Sequence, residues 1–524
     1  MNNNSVGKTV SKGIAGSVSL VMIIMILSRL LALVSTQVYM SYFGLDSFLN
    51  IYSFAISVPN IVFNCFGTAL ATVVIPIYAG HLAKGENDKA ARFANNIITV
   101  SVAITAVLVA IGIAISPFLP RLTAFKTGEE YSFAVKALMI MMPVMLFYGL
   151  NYIFQGILQS HGKYGFPAFV SVPSSLVVIA YVFLLGDRYG ISGLLVATFI
   201  GLSLQALILI PPAVASGFRY KFTFSLKDED MITAGKMALP VLVGVSAYQL
   251  NMFYNTTMIA NFEGMVTLLT YVQNIVVYMV LAFVYSVTAV VYPKLSESAS
   301  KNDDEGYKNT LSSVLGSVMM LLIPITFGFI TMRRPLLELI ANWGKITQGD
   351  IDKAAMLMLM YSIGIVGIGS KEILDRAFYA IKDTKIPAIN GFVIMGVNIA
   401  LSLVLINFIG AYGIPLAYSV SSLTGLCVLL LLLKKKKGEY GRGLGTDFVK
   451  CLVSGIIMAL ALTGINYALD AAIASNSIVS RLVKLLVPTA AGVIVYAFCV
   501  LLLRVGAAKE FWNTIKGKFT KNNV

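Results

Sequence analysis

Residues 412–437 read YGIPLAYSVSSLTGLCVLLLLLKKKK, and the first 22 of them carry no charge. A helix that rises about 1.5 Å per residue would cross the roughly 30 Å hydrocarbon core of a bilayer within such a run. Four consecutive lysines, Lys434 to Lys437, end it. Lysines in this position favour the cytoplasmic side of a membrane, with a lipid-headgroup or partner site as the alternative interpretation.

Similar apolar segments recur along the whole chain. Of its 524 residues, 58% are hydrophobic and 12% are charged, whereas soluble domains carry about 25% charged residues. The sequence therefore predicts an all-α integral membrane protein with about fourteen transmembrane helices. The first segment is too long for the apolar part of a secretory signal. The fourteen segments are 17–42, 47–78, 93–117, 133–158, 164–186, 190–215, 236–261, 266–293, 311–332, 354–381, 386–409, 412–433, 448–472 and 480–503.

The basic residues are distributed unequally between the two sides of the predicted membrane. With fourteen spans both termini lie on one side, which carries 26 Lys and Arg residues against nine on the other. These totals count Lys236, Lys450, Arg481 and Lys484, near the ends of their spans, with the adjoining loops, and the remaining four basic residues lie within spans. This bias predicts cytoplasmic termini, because basic loops are retained in the cytoplasm.

An internal repeat is visible in three landmarks. The motif ending at Pro76 recurs at Pro293, Pro167 recurs at Pro387, and 189–191 (YGI) recurs at 412–414, with offsets of 217, 220 and 223 residues. Two six-helix halves that enter from the same side explain this pattern as a parallel repeat. The predicted divisions are an N-terminal lobe over 1–222, a second lobe over 223–440, and two appended helices with a cytoplasmic tail over 441–524.

The loops and motifs argue against an enzyme. The longest polar connections run about 20 residues, and no phosphate-binding loop, zinc-protease, nucleophile-elbow or C-x-x-C motif is present. The four cysteines lie in or beside apolar runs, and the two histidines provide no zinc site. We predict a transporter without catalytic residues, metal or cofactor.

Candidate ligand-binding groups lie in the first two spans. Arg29 is midway along span one, where a charge facing lipid costs about 2.5–3.5 kcal/mol. It either binds an anionic ligand in a cavity or pairs structurally. Asn60 and Asn64 share one helix face behind Pro59, for substrate contact or for helix–helix hydrogen bonding.

Amides also lie in the corresponding helices of the second half. Gln249, Asn251 and Asn255 are in span seven, and Gln273 and Asn274 are in span eight. Because both halves carry amides in matching helices, we predict that Gln249, Asn255 and Asn274 bind substrate together with Arg29, Asn60 and Asn64.

Span ten contains four charged residues, Lys371, Glu372, Asp375 and Arg376. Lys371–Asp375 and Glu372–Arg376 are both spaced for i,i+4 pairing. A structural ion-pair network, a cytoplasmic gate, and proton or cation coupling through a carboxylate are the interpretations left open. We assign these four residues to gating or coupling.

Several stretches resemble the MurJ (MviN-type) lipid II flippase family of the multidrug/oligosaccharidyl-lipid/polysaccharide exporter superfamily. The most specific is 376–387 (RAFYAIKDTKIP), at a position that matches the family's junction between helices ten and eleven. The others are 28–31 (SRLL), 43–44 (FG), 58–60 (VPN), 74–76 (VIP), 238–240 (ALP) with Gln249, and 293–296 (PKLS).

The resemblance implies a multi-pass protein of the bacterial plasma membrane that moves an undecaprenyl-linked glycan from the inner to the outer leaflet, for cell-wall synthesis. It implies alternating access of two lobes, a cationic cavity for the pyrophosphate, and a groove for the lipid tail at the last two helices. A coupling ion (Na⁺ or H⁺) or the membrane potential would drive transport. Arg29 matches a cavity arginine, whereas Ser35 stands where the family has a second arginine and Gln273-Asn274 where it has Asp-Arg. The glycan is therefore lipid II or a related lipid-linked oligosaccharide.

Two alternative functions follow from the same residues. One is a cation- or proton-coupled small-molecule exporter of the same superfamily, although such exporters usually have twelve helices. The other is a non-transporting membrane scaffold, which predicts a buried structural partner for Arg29.

Overall fold

The computed structural model describes residues 24–25, 27–441, 443–473 and 477–508, and this part of the chain is helical, with no β-strand. We number eighteen α-helices in chain order. They are α1 (27–43), α2 (Ser47–Ala83), α3 (Asn87–Ile115), α4 (Gly128–Met141), α5 (Val144–Ser160), α6 (Gly165–Phe169), α7 (Val172–Leu207), α8 (Ile210–Val214), α9 (Glu229–Ile259), α10 (Met265–Gln273), α11 (Met279–Ser300), α12 (Asp304–Ile340), α13 (Gln348–Ser362), α14 (Ile365–Ala380), α15 (Lys385–Ile409), α16 (Gly413–Lys437), α17 (Leu444–Ala472) and α18 (Ile478–Leu502).

The helices account for the predicted membrane spans. Among the described residues ten helical stretches are long and apolar enough to cross a bilayer, or eleven if the bent pair α13–α14 counts as one span. Two of these stretches, Gly165–Val214 and Lys385–Lys437, are long enough for two spans each, and they turn back at Gly190 and Gly410. With those divided and α1 added the count is fourteen, so the predicted all-α membrane fold is confirmed. The beginning of the predicted first span, before residue 24, lies outside the described residues.

The backbone dihedral angles of the two halves follow the parallel repeat. Residues with positive φ recur about 220 positions apart, as at Gly190 (φ 56°) and Gly410 (φ 59°), or Gly162 (φ 73°) and Lys382 (φ 59°). Left-handed backbone is costly for residues other than glycine, so its recurrence at equivalent positions marks two copies of one chain path. The other pairs are Gly44 and Gly264, Gly85 and Asn302, Gly128 and Gly344, and Gly217 and Gly438.

The backbone conformation of the turns before spans six and twelve changes the alignment of the landmark at 189–191 and 412–414. The sequence match aligns Gly190 with Gly413, whereas the structure gives Gly413 an ordinary helical conformation (φ −60°, ψ −31°). The conformation of Gly190 (φ 56°, ψ −148°) is repeated at Gly410 (φ 59°, ψ −138°). The conformational offset is therefore 220 residues, the same as between Pro167 and Pro387.

The chain divides into two compact units, of which the first ends at Thr267 and the second begins at Leu268. In the first unit α2 packs against α9 as well as against α4 and α5, although by the repeat α9 is the first helix of the second half. Packing and repeat thus divide the chain at different residues. The limits 1–222, 223–440 and 441–524 describe the repeat and stay a prediction.

Polar contacts hold α2 and the start of α9 together in the first unit. The His81 ring is 2.9 Å from a Glu86 oxygen through Nδ1 and 2.8 Å from an Asp230 oxygen through Nε2. Hydrogen bonds from Lys89 and His81 lower the pKa of Glu86 to about 2, so this carboxylate is ionised at neutral pH. These contacts place the loop before α3 beside the first turn of α9.

In the second unit the two appended helices pack against each other and against α12. The Tyr496 hydroxyl of α18 donates a hydrogen bond to the Met320 carbonyl of α12 over 2.8 Å. Gly455 of α17 has no side chain, and an added Cβ would lie 2.4 Å from the Phe327 ring of α12. The last two helices are therefore an integral part of this unit.

We expect Lys382→Gly to stabilise the protein by about 1 kcal/mol, because glycine adopts positive φ without the steric cost that lysine has there. Thermal unfolding in detergent should show a small rise in Tm. Lys382→Ala removes the same charge but keeps a Cβ at positive φ, so it should give no such rise. A Tm that falls with Lys382→Gly would contradict this account.

Candidate functional site

Asn60 and Asn64 form the centre of a polar network in the first unit. The Asn64 side-chain amide donates to Asn60 Oδ1 over 2.9 Å, so these two residues lie on one face of α2 as predicted. The Tyr152 hydroxyl of α5 donates to Asn64 Oδ1 over 3.4 Å, and the Tyr148 hydroxyl is hydrogen-bonded to Asn60. The network thus connects two helices through neutral hydrogen-bonding groups.

Arg29 lies at the edge of this network. Its guanidinium interacts electrostatically with the Tyr152 phenol, and its side chain is exposed. Among the ion pairs of the described residues none contains Arg29. The neighbouring Ser28 is buried and donates to the Ala168 carbonyl over 3.1 Å. Ser28 therefore attaches α1 to its neighbour, while the adjacent Arg29 has no carboxylate partner among the described residues.

The sequence interpretation missed the two tyrosines. Tyr148 and Tyr152 are one helical turn apart on α5 and both pack against Phe63 of α2, with ring centroids 5.8 and 6.1 Å away. Gly67 leaves room for Tyr152, since an added Cβ would lie 2.5 Å from its ring. Their i,i+4 spacing within an apolar span was the available signal, but it does not indicate which helix they face.

The amides of α9 are buried in the same unit. Gln249 is 8% exposed, Asn251 2% and Asn255 3%. The Oδ1 atoms of Asn251 and Asn255 have no hydrogen-bond partner among the described residues. An unpaired buried acceptor costs about 1–3 kcal/mol, so these two oxygens are free to accept from a bound group. The α9 helix lies against α2, where the Cys65 thiol is hydrogen-bonded to Ser246.

Asn274 belongs to the second unit. It begins a π-helical turn, Asn274–Tyr278, between α10 and α11, and its side chain is half-buried. Such turns insert a residue into a helix and are frequent at functional positions. The structure therefore places Arg29, Asn60, Asn64, Gln249 and Asn255 in one unit and Asn274 in the other.

The charged cluster of α14 is only partly paired as predicted. Lys371 Nζ lies 2.5 Å from Asp375 Oδ2 and 3.9 Å from Glu372 Oε1. The predicted Glu372–Arg376 pair is absent from the described ion pairs, because the Arg376 guanidinium lies over the Tyr379 ring, 5.8 Å from its centroid. Tyr285 of α11 interacts electrostatically with Glu372, which gives this carboxylate a neighbour on another helix.

The lysine run in the last turn of α16 is engaged with carboxylates of the same unit. Lys434 pairs with Glu439 at 3.4 Å, Lys437 pairs with Asp304 at 2.6 Å, and Lys436 pairs with Asp383. Although burial acts to raise it, the hydrogen bond from Lys436 keeps the pKa of Asp383 below its ordinary value. These contacts favour internal charge pairing over a lipid-headgroup site at this run.

In the described part of the chain no three His, Cys, Asp or Glu side chains are grouped to hold a metal ion. The four cysteines, Cys65, Cys427, Cys451 and Cys499, form no disulfide. What the site offers is one cation and a set of neutral hydrogen-bonding groups, which suit binding and not bond-making chemistry.

Comparison with known proteins identifies relatives over most of the chain. The family model described as lipid II flippase MurJ matches residues 39–484. A probable lipid II flippase MurJ of Vibrio cholerae is 25% identical over 436 residues, which cover 80% of this chain and 83% of that protein.

Two solved structures share the fold. A lipid II flippase MurJ in an inward closed conformation has a TM-score of 0.76 and 23% identity, and covers 93% of this chain and 99% of its own. An inward-facing multidrug resistance transporter of the MATE family has a TM-score of 0.68 and 14% identity, covering 79% and 98%.

We expect Lys371→Met to destabilise the protein by about 3–5 kcal/mol, because Asp375 is 7% exposed and would be left as an uncompensated buried charge. The double variant Lys371→Met/Asp375→Asn should recover most of that loss, since no charge remains. Unfolding in increasing concentrations of dodecyl sulfate measures both. Equal losses in the single and double variants would show that the pair is not coupled.

Proposed function

The chain belongs to the lipid II flippase MurJ family, and on that premise we propose that it is a flippase for an undecaprenyl-linked glycan, lipid II or a related lipid-linked oligosaccharide. The glycan passes from the inner to the outer leaflet of the bacterial plasma membrane by alternating access of the two halves. The protein does not act as an enzyme, because no covalent bond of the substrate is made or broken.

The observation that carries this proposal is Arg29. A permanent charge in the middle of an apolar helix is costly unless it adjoins water, a ligand or a counter-charge. Its side chain is exposed and has no carboxylate among the described residues. The scaffold alternative required a buried structural partner for Arg29, so this arrangement supports binding of an anionic group instead.

The neutral groups beside Arg29 suit the sugar part of such a substrate. Asn60, Asn64 and the hydroxyl of Tyr152 provide both hydrogen-bond donors and acceptors. Sugar hydroxyls and acetamido groups need both kinds. The pyrophosphate would be paired with Arg29, and the amide-rich face of α2 would contact the glycan.

The departures from the family pattern restrict the substrate to a class. Ser35 is buried at 6% exposure where the family has a second arginine, and Asn274 begins the π-helical turn where the family has a further charge. Fewer cations weaken the attraction for a pyrophosphate. This favours a related lipid-linked oligosaccharide as strongly as lipid II itself.

We assign the coupling of transport to its driving force to the charged cluster of α14. The Lys371–Asp375 pair lies in a helix that bends by 42° relative to α13. The pair lies about two to three turns beyond this bend, and a charged pair on one arm of a bent helix changes its neighbours if the bend angle changes. Glu372, which lacks the predicted arginine partner, is the carboxylate we propose for H⁺ or Na⁺; the alternative driving force is the membrane potential acting on the cluster.

We expect Arg29→Ala to abolish rescue of cells depleted of their own lipid II flippase, if the wild-type chain rescues them. The reason is the loss of a cation that lies beside the amide network and forms no ion pair among the described residues. Arg92→Ala removes an arginine that is exposed in α3 and should rescue like the wild type. Survival is scored with membrane insertion and abundance verified for each variant.

Rescue by Arg29→Ala at normal abundance would contradict the role of Arg29. Failure of the wild-type chain would exclude lipid II in that host and direct the assay to other lipid-linked oligosaccharides in proteoliposomes. In that assay the same pair of arginine variants applies, so the class of substrate and the role of Arg29 are tested separately.

The proposed orientation has both termini in the cytoplasm. In a background without the four cysteines, an impermeant maleimide should label Lys126→Cys in intact cells and Lys89→Cys only after permeabilisation, since both side chains are exposed. The 26 to nine bias in basic residues is the physical reason. The opposite labelling pattern would show that the termini lie outside the cytoplasm, and the proposed direction of transport would then be reversed.

A further inference from the structure

A cationic cavity lies in the second unit, between the carboxyl ends of α12 and α17 and the amino end of α18. Its volume is about 410 Å³, within the range of small-ligand sites. Four of its lining residues are basic and two are acidic. The lining residues are Thr331, Arg333, Arg334, Pro335, Glu338, Asn466, Asp470, Arg481 and Lys484.

The two carboxylates are already engaged by two of the cations. Arg334 Nε lies 3.0 Å from Glu338 Oε1, and Lys484 Nζ lies 2.8 Å from Asp470 Oδ1. Both ion pairs form in the structure without a ligand. The lining itself therefore keeps an excess of two positive charges, and the one further carboxylate that pairs with it among the described residues is Asp352, 3.4 Å from Arg334 Nη2.

That excess resides on Arg333 and Arg481. Arg481 donates to the Glu338 and Asn342 carbonyls at the end of α12, over 3.1 and 3.4 Å. Arg333 donates to the Ile330 carbonyl and forms no ion pair among the described residues. A guanidinium has five N–H donors, so both arginines retain donors for an anion.

An unpaired acceptor in the same cavity indicates a second feature of the ligand. Asn466 Oδ1 is buried and has no hydrogen-bond partner among the described residues. It lies on the same helix face as Asp470, one turn away. A ligand that brings both an anion for the arginines and a hydroxyl or ammonium donor for Asn466 would satisfy the whole lining.

The cavity concentrates basic residues on the predicted side of the membrane that has few of them. Only nine Lys and Arg residues are predicted to lie on the side of the membrane opposite the termini, and four of them line this one cavity. Charge retention in the cytoplasm does not explain basic residues on this side. Because they lie at the ends of predicted spans, we expect them at the depth of lipid headgroups, where phosphates are concentrated.

From this arrangement we propose that the cavity binds the phosphate of a membrane lipid whose headgroup also carries hydrogen-bond donors. The source is either the phosphodiester headgroup of a bilayer phospholipid such as phosphatidylglycerol or the pyrophosphate of a polyprenyl-linked lipid. Arginine holds phosphate oxygens through two parallel N–H bonds. The site does not depend on the proposed transport and is separate from Arg29, which lies in the other unit.

The test measures the Tm of the purified full-length protein in detergent with four probes. They are dioctanoyl phosphatidylglycerol, undecaprenyl pyrophosphate, inorganic pyrophosphate, and dioctanoylglycerol as the phosphate-free control. We expect phosphate-bearing lipid to raise Tm and dioctanoylglycerol not to do so. Arg333→Gln should weaken the binding at least about tenfold, as expected for loss of a charge-assisted hydrogen bond, and Arg333→Lys should weaken it less.

Matched variants separate this site from general effects of charge. Lys126→Gln removes an exposed lysine from the same predicted side and outside the cavity, so it should bind like the wild type. Arg29→Ala should also leave binding of phosphatidylglycerol unchanged. Loss of flipping in Arg29→Ala with normal lipid binding would therefore leave this inference standing.

Each pattern of binding has one interpretation. A response to phosphatidylglycerol identifies a phospholipid headgroup. A response to undecaprenyl pyrophosphate alone identifies a polyprenyl lipid at this cavity when Arg333→Gln weakens it and Arg29→Ala does not, and an equal response to inorganic pyrophosphate with the same dependence on Arg333 shows that phosphate suffices. If no phosphate-bearing probe raises Tm, or if Arg333→Gln binds as tightly as Lys126→Gln, the proposal is overturned. Arg333→Gln must keep the ligand-free Tm, and otherwise Arg481→Gln replaces it.

Discussion

The cost of a charge in hydrocarbon is the constraint on which the polar architecture depends. The charge of Lys371 is compensated by Asp375 at 2.5 Å, and the charge of Arg376 by the face of the Tyr379 ring. Among the described residues Arg29 forms no ion pair, and its guanidinium interacts electrostatically with the phenol of Tyr152. The same constraint that makes two of these cations structural thus marks the third as the one available to an anionic ligand.

The two halves share a chain path but carry different chemistry. Positive φ values recur at Gly162 and Lys382 and at Gly190 and Gly410, so the same turns occur in both halves. The second helix of the first half carries the neutral pair Asn60 and Asn64, whereas the charged cluster lies in α14 of the second unit. Backbone geometry is kept because it determines the fold, while side chains facing a site are free to diverge.

Spacing along a helix predicted some contacts and misjudged others. Asn60–Asn64 and Lys371–Asp375 are both separated by four residues and both form. Glu372–Arg376 has the same spacing and does not, because the guanidinium lies over the ring of Tyr379 instead. Spacing shows which side chains are within reach, and competing neighbours decide which contact is made.

The sequence by itself determined the helical fold, the membrane class and the parallel repeat, because hydropathy and charge are local properties of segments about 20 residues long. It also identified Arg29 as exceptional. Only the tertiary structure decided that Tyr148 and Tyr152 face the asparagines of α2, and that Arg333 and Arg481 line one cavity. Those groups are separated by up to about 150 residues in the chain, and helix packing alone brings them together.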